Sequence, residues 1–384
     1  MFDFLKNEEK KVEYIELIYD LFFVYIIGRN NSLVSHISNG FIEPHIFLSY
    51  VLCTLITIQI WYMTILFINR YGDNSFREYI GLFINMFLLY YIADGTRVYW
   101  QESFYTYNIA WALILLNISV QYYLKYRETK AEAPWESLNI KFFIQTQLLM
   151  ILVIAAGLVV YSFTGIPLTP LAMVVGFAAA ILGRKKLDLI SVDFPHLTER
   201  VMLYVVFTFG EMIIAISGYF TSELSWRAFY YSLCAFLIVV GLFMSYGFFY
   251  DKLLDRDMTV SGNTYMLIHI FIIFALSSLT MALEFMREDA IALIPKTAYL
   301  IGSFTVYYVF LFMLAPFIKG YCGSLKDFRV FGVLLIVFIA LMILSYNKPL
   351  ISIGVSVLMT FACWNLEYRY WKNCVLPQSA NSEE

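Results

Sequence analysis

The stretch VEYIELIYDLFFVYIIGR, residues 12–29, decides how the whole chain is read. It sets Glu16 and Asp20 four residues apart, on one face of an otherwise apolar helical run. On a soluble protein such acids sit on a wet face and cost nothing; in a membrane each is expensive. Composition identifies the solvent. The chain is 61% hydrophobic and 14% charged, with a mean hydropathy of +0.71, whereas soluble domains are about 45–50% apolar and about 25% charged. The sequence therefore reads as that of a polytopic membrane protein.

Apolar runs able to cross about 30 Å of hydrocarbon recur along the length. They lack the alternation of a membrane barrel, and backbone groups in lipid must be satisfied within each segment. The expected fold is all-α, a polytopic membrane helix bundle of about twelve transmembrane helices. The expected spans are 13–29, 45–69, 79–97, 105–125, 141–163, 169–184, 200–220, 227–250, 264–284, 297–318, 329–346 and 350–368. The opening MFDFLKNEEKKVEY is polar and lacks a small-residue cleavage site, so no cleavable signal peptide is expected. With this span count, roughly 20 of the 26 Lys and Arg fall on the side of the N-terminus. Both termini are accordingly expected in the cytoplasm.

Sliding the chain on itself by about 183 residues lays ELIYDLFFVYIIG over ERVMLYVVFTFGE and Glu16 over Glu199. The expectation is two parallel six-helix repeats, 1–192 and 193–384, related by an axis along the membrane normal as in some secondary transporters. Glu16 and Glu199 would then share a depth near that axis.

Several polar residues fall where lipid is expected. A rise of 1.5 Å per residue puts Glu16 roughly 7 Å and Asp20 roughly 13 Å inside the cytoplasmic edge. Thr198, Glu199 and Arg200 suit the first turn of the seventh span as cap and terminal charges. Glu211 lies roughly 18 Å further along that span, too deep for capping. His269 sits in YMLIHIFIIF and, with Glu211, could form a proton relay or a metal site. Arg70 and Asp251 close the second and eighth spans; the expected pairings are Arg70 with Glu16 or Asp20, and Asp251 with Arg200.

Other features exclude functions. A net charge of −3 gives no basis for nucleic-acid binding. Cys53, Cys234, Cys322, Cys363 and Cys374 form no CxxC pair and read as small core residues. His36 and His45 read as surface groups near the first external loop. No nucleotide, hydrolase or zinc-protease motif stands in a supporting context, and the cytoplasmic loops are too short for an ATP-consuming domain. Neither a cofactor nor a resident metal is specified.

At these motifs the chain resembles the bacterial low temperature requirement protein A (LtrA) family. The likeness rests on ELIYDLFFVYIIG, on IWYMTILFINRYGD with Asn69, Arg70, Tyr71 and Asp73, and on HLTERVMLYVVFTFGE with His196, Glu199, Arg200, Gly210 and Glu211. Tyr71, Gly72 and Asn74 depart from the phenylalanine and the acidic or threonine positions of the family pattern. The resemblance implies a multi-pass protein of the bacterial inner (plasma) membrane, linked by name to growth in the cold. The expected function is a proton- or cation-coupled secondary transporter or permease of a small solute or ion. Asp20, Glu211 and His269 would line its path, and Glu16, Arg70, Glu199, Arg200 and Asp251 would form a cytoplasmic charge gate. The alternative is a membrane-embedded enzyme, or a metal- or cofactor-binding protein, using the same carboxylates and histidine.

Overall fold

The computed structural model describes residues 11–38, 40–97, 100–129, 134–220, 225–320 and 325–377. Among them thirteen α-helices account for nearly all regular structure: α1 (Tyr14–Leu33), α2 (Pro44–Tyr71), α3 (Phe76–Gly95), α4 (Trp100–Thr129), α5 (Pro134–Thr164), α6 (Leu171–Leu182), α7 (Arg184–Leu187), α8 (Phe194–Ile216), α9 (Trp226–Phe248), α10 (Asn263–Arg287), α11 (Leu293–Phe312), α12 (Leu325–Ser345) and α13 (Pro349–Tyr370). A helix occupies each of the twelve expected positions, α7 being an extra turn. Eight helices are long and apolar enough to cross a membrane: α2, α4, α5, α8, α9, α10, α11 and α13. α1 is not among them; its 20 residues carry Glu16, Asp20 and Arg29, with the polar run RNNS, residues 29–32, near its end. α6, with 12 residues, is about 18 Å long and short of the hydrocarbon thickness by itself.

The helix ends follow from local chemistry. Pro44 and Pro349 open α2 and α13, where the missing amide hydrogen costs nothing. Ser75 caps α3 by accepting from the Glu78 amide. The Glu78 carboxylate reaches back to the amides of Asp73 and Asn74 at 2.9 and 3.0 Å. This reciprocal arrangement satisfies donors that would otherwise be orphaned, and it holds Asn74 in the left-handed region at φ 55°.

The chain forms two compact units. The first comprises residues 1–33, 45–204 and 256–270, and so takes in α1 to α7 and the opening turns of α8 and α10. α2 is its interior helix, buried along most of its apolar length, and it carries no Asp, Glu, Lys or Arg before Arg70. Gln59 of α2 donates to the carbonyl of Met173 at 3.0 Å. That approach requires Gly176, where a Cβ would lie 2.7 Å from the Gln59 amide nitrogen. Asn263, the first residue of α10, accepts from the Tyr62 hydroxyl and donates to the Ala180 carbonyl at 3.0 Å, so one side chain ties α2, α6 and α10 together.

The second unit comprises residues 34–44, 205–255 and 271–384. It begins with a two-stranded hairpin, β1 (Ile37–Ser38) paired antiparallel with β2 (Phe41–Ile42). α9 and α13 pack closely: a Cβ at Gly241 would lie 2.2 Å from the Thr360 hydroxyl. α9 runs on into a π-helical turn, Phe249–Leu253, that carries Asp251. Exposed large apolar side chains, among them Phe163, Leu182, Ile214 and Leu344, are what a lipid-facing surface needs.

Candidate functional site

The buried charges of the first unit converge on α1, α2 and the start of α8. Glu16, Asp20, His196 and Arg200 are each 0–1% exposed. Both pairs have i, i+4 spacing, so α1 presents two acids on one stripe and α8 presents two nitrogen bases on another. The Arg200 guanidinium meets Asp20 edge-on, Nη2 to Oδ1 at 2.7 Å and Nε to Oδ2 at 3.3 Å. Its Nη2 also reaches the Glu16 carbonyl at 3.3 Å. The indole of Trp61, on α2, donates to the same Asp20 Oδ1 at 2.8 Å. Asp20 thus receives three donors, the coordination that allows a carboxylate to stay ionised away from water.

Glu16 is held differently. Its Oε2 accepts from His196 Nε2 at 3.1 Å and from the Glu13 amide at 3.2 Å. Its Oε1 lies 3.5 Å from Arg200 Nη1, and neither of those two buried atoms makes a hydrogen bond. The ion pair between them is one of distance only.

Asn69 fixes the histidine tautomer. Its Oδ1 accepts from the Asp193 amide at 3.0 Å, and its Nδ2 donates to the Asp193 carbonyl at 2.9 Å. A backbone amide can only donate and a carbonyl can only accept, so the side-chain amide has one permitted orientation. The second hydrogen of Nδ2 then points at His196 Nδ1, 3.0 Å away. His196 Nδ1 is the acceptor of that bond, and the ring proton sits on Nε2 facing Glu16. A second ring proton would confront the Asn69 amino group. The geometry therefore orients His196 as a donor to Glu16 through Nε2.

Aromatic rings and a hydroxyl pair close the deeper side. Trp61 and Tyr204 lie 4.5 Å apart between ring centres, and Phe23 meets Tyr204 edge-on. The Tyr19 hydroxyl donates to Thr64 Oγ1 at 3.0 Å, since Thr64 spends its own proton on the Ile60 carbonyl. The assembly thus sets two carboxylates, Glu16 and Asp20, against one guanidinium and one imidazole.

The other expected residues lie elsewhere. Arg70 does not pair with Glu16 or Asp20; it donates to Asn139 Oδ1, the Leu187 carbonyl and the Ser261 carbonyl at 3.3, 3.2 and 2.6 Å, with its guanidinium 5.7 Å from the centre of the Phe143 ring. The cation between the two acids is Arg200, which the sequence reading assigned to the first turn of its helix and to Asp251. Glu199 is exposed, about a quarter turn around α8 from the buried bases, so the residues aligned by the 183-residue offset occupy contrasting environments. His269 is fully buried, and its Nδ1 donates to the Tyr265 carbonyl at 2.8 Å. Asp251 and Glu211 belong to the second unit; Asp251 is exposed and Glu211 half-buried. Cys53, Cys234 and Cys363 are buried and free, whereas Cys322 lies outside the described residues.

Three members of the network escaped the sequence reading as functional groups: Trp61, Asn69 and His196. A further buried acid, Glu367 on α13, also escaped it. The signal for His196 was present, because its spacing from Arg200 complements that of Glu16 from Asp20. Among the described residues no three of His, Cys, Asp and Glu gather as a metal ion requires.

The family model described as bacterial low temperature requirement A protein (LtrA) matches residues 11–363, a range that contains every residue of this network. No curated protein and no solved structure matches the chain.

Proposed function

The chain belongs to the bacterial low temperature requirement A protein (LtrA) family, and from that membership and the buried network we propose that it is a proton- or cation-coupled secondary transporter. Twelve helices would cross the bacterial inner membrane with both termini in the cytoplasm. α1, 20 residues and about 30 Å long, would do so with Arg200 paired to Asp20 and His196 donating to Glu16. α6 would cross together with the turns around it, from Pro167 to Leu187.

The observation that carries the reading is the surplus carboxylate. An uncompensated ion costs about 2.5–3.5 kcal/mol at the centre of a bilayer on insertion scales, so the network is satisfied by one added proton or cation. Asp20 is saturated by Arg200 and Trp61, and His196 has no site for a second proton. Glu16 remains, with one oxygen lacking a hydrogen bond. Two states follow. With Glu16 ionised, Arg200 is shared between two carboxylates and clamps α1 to α8. With Glu16 protonated, Arg200 belongs to Asp20 alone and the clamp is weaker. A proton that changes the grip between two helices is the element that coupled transport needs. Glu211 and His269 are kept as further candidates along a path, and Glu199, Asp251 and Arg70 as outlying charges of a gate.

Rescue of a cold-sensitive strain lacking its LtrA protein tests the assignment. Glu16→Gln preserves shape and removes the titratable proton, so it is expected to reach the membrane at normal abundance and fail to rescue. Full rescue at normal abundance would show that the charge on Glu16 has no part in function.

A further inference from the structure

The second unit contains a cleft of about 630 Å³ where α8 ends, α9 begins, α10 ends and α11 begins. Arg227, Arg287 and Lys296 line it, together with one acid, Asp289. Glu288 stands beside Arg287 at 3.5 Å, and Glu284 lies one turn before it, so Arg287 has acidic neighbours. Lys296 does not. It is 3% exposed, and its ammonium makes one hydrogen bond, to the Glu288 carbonyl at 3.2 Å. An ammonium has three donors, and no carboxylate of the described residues pairs with this one. A buried cation with two uncommitted donors on the wall of a cavity calls for an anion.

The backbone supports the same sign. α9 and α11 both direct their N-terminal ends at the cleft through Ser225 and Ala292, and α11 has no side-chain cap. Helix N-termini carry partial positive charge and unsatisfied amide donors. Gly218 is fitted to the arrangement: a Cβ there would lie 1.6 Å from Arg287 Nη1, so only glycine admits the guanidinium at that position. Arg227 lies 5.9 Å from the centre of the Tyr231 ring, leaving an aromatic and apolar wall beside the charges.

We infer that this cleft binds a phosphate-type oxyanion carried on an apolar body, with Lys296 as the buried anchor and Arg227 and Arg287 at the mouth. The same chemistry is offered by a soluble phosphate ester and by the headgroup of an anionic phospholipid. The inference stands apart from the proton site on Glu16.

The test uses purified full-length protein in phosphatidylcholine nanodiscs, and it has two arms. The first measures saturation binding of radiolabelled phenyl phosphate; the second compares thermal midpoints in phosphatidylcholine and phosphatidylglycerol nanodiscs. Saturable binding of the label, weakened about tenfold or more by Lys296→Met and by Arg227→Gln, supports a soluble ligand. A higher midpoint in phosphatidylglycerol that both variants abolish supports a lipid headgroup. If Lys296→Met does not fold, Arg227→Gln at its exposed position carries the comparison. Absence of both effects, or effects of equal size in wild type and variants, overturns the inference. Neither arm involves a proton gradient, so that failure would leave the Glu16 reading intact.

Discussion

Arg200 grips Asp20 along two edges, at 2.7 and 3.3 Å, across 180 residues of sequence. Its remaining terminal nitrogen stands 3.5 Å from Glu16. This unequal sharing, one acid fully bound and the other held at a distance, underlies the predictions below.

Removing the cation should be far worse than removing the pair. Arg200→Gln leaves two buried carboxylates facing each other, with an expected loss of about 3–5 kcal/mol. Asp20→Asn combined with Arg200→Gln should cost less than the sum of the single changes. Detergent-denaturation midpoints of the four proteins measure this, and additive losses would show that the two side chains do not interact.

Asn69 should control the proton on His196. Nitrogen NMR of labelled protein is expected to show a protonated Nε2 and an unprotonated Nδ1 in the wild type. Asn69→Leu removes the amide that fixes this arrangement and its two hydrogen bonds to the Asp193 backbone, at a cost of about 1–3 kcal/mol. A His196 spectrum unchanged in Asn69→Leu would mean that the tautomer is set by something else.

Two glycines of α9 should respond oppositely to alanine. Gly241→Ala drives a methyl into Thr360, 2.2 Å away, and overpacking of this kind costs about 1–3 kcal/mol. A methyl at Gly247 meets nothing within 4 Å, so Gly247→Ala should be neutral or stabilise by up to about 1 kcal/mol through helix propensity. Thermal midpoints of the two variants provide the check, and similar shifts would contradict the packing described.

The helices were legible because lipid imposes one rule on every segment, a long apolar run with internally bonded backbone. Even α1, with three charges in its 20 residues, stood out once composition had fixed the solvent. The hairpin at Ile37–Ser38 and Phe41–Ile42 and the single turn of α7 were not anticipated, being too short to leave a periodic pattern. At the site, Glu16 and Asp20 were legible as misplaced charges. Arg200 was misjudged because its place in the first turn of α8 already gave it a sufficient local role, and nothing in sequence distinguishes a terminal arginine that faces water from one that faces α1. The partner of Arg70 was wrong for the same reason: charge identifies who needs a partner, while packing chooses it. Asn69 and Trp61, uncharged in a helix that is buried on all sides, gave no signal that composition or spacing could pick out.

We propose that Glu16, and not Asp20, carries the exchangeable proton. Infrared difference spectroscopy of the membrane-embedded protein across a pH titration measures it most directly. A carboxylic-acid C=O band is expected to appear as the pH falls, to be absent in Glu16→Gln and to persist in Asp20→Asn. A band that survives in Glu16→Gln and vanishes in Asp20→Asn would contradict it.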